Sequence, residues 1–125
     1  QISDDAIPFV LNSEEEIQKR IDAFPKAALL LEDGKKANYK EYIGSLKNKD
    51  CTSALLRIYP TINMNKINHF IDNIDDISDI RKTFYKTMLQ KRYELILTPA
   101  YERALSLNKY NNMDIYNNDF DEINL

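Results

Sequence analysis

The sequence predicts an all-α fold, an orthogonal bundle of about six helices with one small hairpin or turn. Apolar residues recur at helical spacing almost throughout, cap residues precede the apolar runs, and only one turn dipeptide, Asp33-Gly34, interrupts the pattern. The 125 residues suffice for one domain, and 43% hydrophobic with 30% charged residues is the balance of a globular chain.

Each element has a local reason. A short helix is expected around Ser3 to Leu11, although it carries Pro8. Ser13 with Glu16 three residues later reads as a capping box, opening a helix with Ile17, Ile21 and Phe24 on its apolar side and Pro25 as its stop. From Ala27 to Asn38 a short apolar run reaches Asp33-Gly34 and Lys35-Lys36, a small hairpin or irregular turn at Leu31–Lys36. Asn38 with Glu41 then suggests a cap before Tyr39, Tyr42, Ile43 and Leu46, and Asp50 is expected to cap the helix carrying Cys51, Ala54, Leu55 and Ile58. Asn63 opens a fifth helix with a stripe of Met64, Ile67, Phe70, Ile71 and Ile74.

Ser78 is expected to cap the central helix, which runs to about Leu97. Ile80, Phe84, Met88 and Leu95 form one stripe, and Tyr85, Leu89, Tyr93 and Ile96 a second beside it. Two adjacent stripes exceed the apolar arc of an ordinary surface helix, so this helix should be contacted on two sides. Thr98-Pro99 reads as a new helix start, with Tyr101, Ala104 and Leu105 inward to about Leu107. Residues 1–107 thus form the helical domain. Residues 108–125, rich in Asn and Asp, read as a tail that is mobile unless a partner holds it.

Composition narrows the function. A net charge of -3 argues against nucleic acid as the main ligand. No apolar run approaches the roughly 20 residues of a membrane span. One cysteine makes no internal disulfide, two glycines are too few for a phosphate loop, and no Cys/His metal set is present.

Single residues add no chemistry. His69 falls opposite its helix's apolar stripe and is read as solvent-facing; Cys51 lies on its stripe and is read as a buried, inert thiol. Asp72, Asp75, Asp76 and Asp79 gather at a helix junction without calcium-loop spacing, a solvated cap region; Asp114, Asp119, Asp121 and Glu122 in the tail are read the same way. Arg81, Lys82, Lys86, Lys91 and Arg92 give the central helix a basic, mostly solvated surface, with a second reading in which Arg81 and Arg92 face an acidic surface of a larger protein. No Ser/His/Asp set, HExxH or Walker loop occurs. The expected catalytic, cofactor-binding and metal residues are therefore none.

The runs Asn48-Lys49-Asp50-Cys51, Ala54-Leu55-Leu56-Arg57-Ile58-Tyr59-Pro60, Ile62 and Met64-Asn65-Lys66-Ile67, followed by Ile71-Asp72-Asn73 and Thr87-Met88-Leu89, resemble the C-terminal part of HipA-like serine/threonine kinases, nearest to their cell-translocating type. Phe24-Pro25 and Lys36 through Tyr39 share in it, and the similarity extends from Gln1 to about Ala104. The resemblance implies a helical piece of a kinase C-lobe. ATP, Mg²⁺ and the catalytic-loop and metal-binding motifs would belong to an earlier part of the kinase, and none of those motifs occurs here, so no catalytic residue carries over. The implied partners are the missing catalytic portion and, further out, a protein substrate or an antitoxin, with no nucleic acid and no membrane.

The chain begins with Gln1 rather than Met, so it is expected to be a piece whose parent holds the chemistry elsewhere. The lone thiol and absent signal point to the cytoplasm, and the cell-translocating relatives leave secretion open. The competing expectation is a free-standing helical interaction module, an adaptor or immunity-type protein unrelated to kinases.

Overall fold

The fold is described from a computed structural model, which describes residues 2–23, 26–30 and 36–108. A 3₁₀ turn at Asp4–Ala6 runs into α1 (Ile7–Leu11), followed by α2 (Glu14–Ala23). Strands β1 (Lys26–Leu30) and β2 (Lys36–Asn38) lead to α3 (Tyr39–Ser45) and α4 (Lys49–Ile58). A 3₁₀ turn at Tyr59–Thr61 precedes α5 (Met64–Asp72), and α6 (Asp79–Arg92) follows. From α6 the backbone passes through a π-helical turn, Tyr93–Leu97, directly into α7 (98–108). Counting α6, the π turn and α7 as one rod, the fold is all-α with six helices among the described residues.

Caps set most helix starts. Ser13 Oγ accepts from the Glu16 amide at 3.2 Å, Asn63 Oδ1 from Lys66 at 3.1 Å and Ser78 Oγ from Arg81 at 3.2 Å, all three as the sequence indicates. At α4 the cap is Asn48 and not Asp50. The Asn48 backbone is extended, its Oδ1 accepts from the Cys51 amide at 2.9 Å, and its Nδ2 donates to the Tyr42 hydroxyl at 2.7 Å. Asp50 lies two residues inside, where its carboxylate favours the positive end of the helix dipole.

The hairpin forms between β1 and β2, antiparallel, with Lys26 opposite Asn38 and Leu30 opposite Lys36. The five residues of β1 thus face three of β2, a register shift of the kind a bulge or similar irregularity makes. The turn proper falls in 31–35 and the acidic tail in 109–125, both outside the described residues.

The main core joins Ile7 and Val10 of α1, Ile17 and Ile21 of α2, and Phe84 and Met88 of α6. Ile2, Leu11, Ile80, Tyr85 and Ile96 pack around it. Ile7 is fully buried and Ile21 is 1% exposed, each contributing about 1.5–3 kcal/mol of transfer free energy. α1, α2 and α5 all pack on α6, and α3 packs on the π turn, so α6 has neighbours on more than one side. Ala100 and Ala104 of α7 are buried, as are Leu55 and Ile71.

The rod corrects one expectation. Thr98-Pro99 does not open a new helix: Thr98 has helical angles, φ -61° and ψ -49°. A proline inside a regular α-helix drives its ring against the carbonyl four residues earlier, here that of Leu95. The wider π turn over Tyr93–Leu97 relieves that clash and lets the rod continue. The turn also shifts the helical phase, which is why Leu95, in line with Phe84 and Met88 on a regular wheel, is 39% exposed.

Candidate functional site

Two apolar grooves flank the rod. The narrower, about 320 Å³, has Ile2, Phe84, Met88 and Leu89 as its floor, with Tyr85, Arg20, Arg81 and Arg92 around it. The wider, about 440 Å³, runs between α5 and the rod past Met64, Ile67, Ile62, Tyr93, Ile96 and Leu97. Leu89 and Arg92 line both, so the two form one face divided by a ridge. Leu89 is 39% exposed on that ridge.

At the narrow groove's edge, the Arg81 guanidinium closes the N-terminal segment onto α6. It reaches Asp4 Oδ1 at 2.6 Å through Nη2 and at 2.9 Å through Nε, and Nη2 also donates to the Ile2 carbonyl at 2.7 Å. Hydrogen bonds from Ser78 and then Arg81 hold the Asp4 carboxyl below its ordinary value. Arg81 itself is held above its usual range by Tyr85 and Asp4. The acidic partner of Arg81 is therefore Asp4 of this chain, which replaces the reading in which Arg81 faces an acidic surface elsewhere.

Arg20 was not singled out by the sequence. Its guanidinium carbon lies 5.8 Å from the Phe84 ring centroid, within cation–π range. Its Nε is buried with no hydrogen-bond partner among the described residues. The available signal was its place beside Ile17 and Ile21, at the border of the apolar stripe.

Behind the wider groove three tyrosines stack. Tyr59 lies between Tyr93, centroid 5.2 Å away, and Tyr101 at 4.1 Å, all close to parallel. Its hydroxyl is 2.8 Å from Thr98 Oγ1. Hydrogen bonding to Tyr59, with burial, raises the Tyr93 phenol above its ordinary value. A third, open cavity of about 1030 Å³ separates α3 from α7, edged by the Asp22–Lys40 ion pair at 3.2 Å and by Arg103, which donates to the Gly44 carbonyl.

The residues weighed from sequence fall apart in space. His69 is exposed, its Nε2 3.3 Å from Asn73 Nδ2. Cys51 is half-buried, short of the buried place its stripe suggested. Asp72 takes the Lys86 ammonium at 2.7 Å on its carboxylate and Lys82 at 2.9 Å on its carbonyl. Lys91 pairs with Glu14 at 3.8 Å. Asp114, Asp119, Asp121 and Glu122 lie outside the described residues. Among the described residues no set of three or more His, Cys, Asp or Glu side chains could hold a metal ion. No helix among the described residues is long and apolar enough to cross a membrane.

The described residues thus form a helical body with an open apolar face. Comparison with known proteins gives its kinship. The chain is 42% identical over 118 residues to the serine/threonine-protein kinase CtkA of Helicobacter pylori strain J99, covering 87% of this chain and 36% of that protein. A crystal structure of the H. pylori proinflammatory kinase CtkA superposes with a TM-score of 0.81 at 43% identity, over 86% of this chain and 38% of that one. The resemblance read from Asn48 to Leu89 is borne out, and the chain spans little more than a third of the kinase's length. No family model matches the sequence.

Proposed function

We propose that this chain is the C-terminal helical subdomain of a HipA-like serine/threonine protein kinase, a scaffold for the catalytic portion that is inert by itself. The observation that carries the reading is the 42% identity to CtkA combined with a helical structure that superposes at TM-score 0.81. Identity at that level across several helices demands a shared core, and a shared core in one third of a kinase belongs to the kinase's architecture.

Phosphoryl transfer needs cradled phosphates, Mg²⁺ held by carboxylate and amide side chains, and a base at the acceptor hydroxyl. ATP and Mg²⁺ belong to the catalytic portion in this reading. This chain's share is mechanical. Its wider groove, walled by Met64, Ile67, Tyr93 and Ile96, offers apolar surface that the rest of the kinase would remove from water. The helices behind it, packed through Ile7, Ile21, Phe84 and Met88, give that surface a fixed shape.

The test is incubation of the chain with ATP, Mg²⁺ and a generic acceptor protein. The reading expects no transfer above background, and transfer by this chain alone would refute it.

A further inference from the structure

Resting on the scaffold reading, we propose that the α6 face docks an amphipathic helix with a carboxylate on its flank, supplied by the catalytic portion of the kinase. Arg20, Arg81 and Arg92 are the only charged residues lining either apolar groove; no Asp or Glu of the described residues lines them. In a chain with 20 acidic residues against 17 basic ones, the face reverses the overall sign. Arg81 is committed to Asp4 at one end, whereas Arg92 lines both grooves where they meet. A guanidinium carries five N–H donors in a planar fork, so Arg92 can take a carboxylate beside any contact it already makes.

The rod sets the spacing. Its residues 81–92 line the narrow groove and 89–97 the wider one. The two midpoints are therefore six to seven residues apart, about 10 Å along the axis. Leu89, 39% exposed, stands between them as the ridge. Positions i and i+7 of a helix are separated by nearly the same distance, about 10.5 Å. A partner helix laid along the rod thus sets two large apolar side chains into the two hollows, and a small residue at i+3 or i+4 makes room for Leu89. From Arg81 to Leu97 the face is about 24 Å long, enough for four to five turns of such a helix.

Other occupants match less well. An extended strand repeats each face about every 6.7 Å, out of step with the hollows. A second copy packed by two-fold symmetry sets this patch against itself, arginines facing arginines with no carboxylate between. A phosphate backbone finds an apolar floor and a chain of net charge -3.

The test uses a chimera in which this chain replaces the matching third of CtkA, carrying Tyr85→p-benzoylphenylalanine in the narrow groove or Met64→p-benzoylphenylalanine in the wider one. Irradiation followed by peptide mapping locates the residue each ketone captures. The expected result is that both positions capture one helical segment of the catalytic portion, about seven residues apart, and that this segment bears an Asp or Glu between or beside them. Arg92→Glu should lower both yields several-fold, and Arg92→Lys should retain most of each. Captures on separate segments, on a segment without a carboxylate, within this chain or between two copies would each overturn the proposal, as would no capture at all. Hydrogen exchange gives a readout free of the ketone: Leu89→Asp should strip amide protection from that segment while far-UV circular dichroism stays unchanged, and full protection would contradict the docking. Phosphate transfer by the same chimera reports on the scaffold reading separately. An active chimera with scattered captures loses this proposal and keeps that reading, whereas a folded, inactive one contradicts the reading itself.

Discussion

The Tyr59 hydroxyl lies 2.8 Å from Thr98 Oγ1, tying the end of α4 to the rod 39 residues further on. With Tyr59 stacked between Tyr93 and Tyr101, the bond brackets the π turn from both sides. The turn that Pro99 requires is thereby held in one conformation.

Tyr59→Phe keeps the stack and removes the bond. It should lower unfolding free energy by about 1 kcal/mol, the usual net worth of one hydrogen bond. Urea denaturation measures it, and an unchanged midpoint would show that the bond contributes nothing.

The Asp4–Arg81 contact predicts an acid-limb effect. The Asp4 carboxyl is depressed below 3.8 by Ser78 and Arg81, so the folded state holds the ionised form better than the unfolded chain does. Its contribution is complete above the unfolded value and fades as pH falls through the lower folded one. Melting temperature of the natural chain should therefore drop more steeply below about pH 4 than that of Asp4→Asn. Parallel curves for the two proteins in that range would contradict the assignment.

Asp76 links α5 to α6 with φ at 67°, a left-handed conformation that suits glycine. The aspartate is exposed, so replacing it removes no buried contact. Asp76→Gly should raise stability by up to about 1 kcal/mol, less the entropy glycine restores to the unfolded chain. Thermal melting checks the sign, and a lower midpoint would show that the aspartate side chain holds the turn.

Legibility followed range. Ser13, Asn63 and Ser78 act on amides three residues away, so their roles stand in the local sequence. Asn48 was missed in favour of Asp50 because both are good cap residues, and the decision came from the bond that Asn48 makes with Tyr42 of the preceding helix. The central position of α6 could be read from its doubled stripe, since width of apolar surface is a local count. The π turn could not, because Thr-Pro is also the signature of a helix start, and what distinguishes the two is Tyr59 reaching in from α4. Arg20 and the division of the face into two grooves depend on how α2 meets α6, which no spacing within either helix encodes.

The scaffold account is tested most directly by grafting. In a chimera, this chain replaces the matching third of CtkA, and phosphate transfer is measured with and without Met64→Asp. Met64 opens α5 and lines the wider groove, and a carboxylate in the first turn of a helix is compatible with folding. The account predicts that the unsubstituted chimera transfers phosphate and that Met64→Asp, with helix content unchanged, loses most of that activity. A folded chimera without activity, or one indifferent to a charge in that groove, would contradict it.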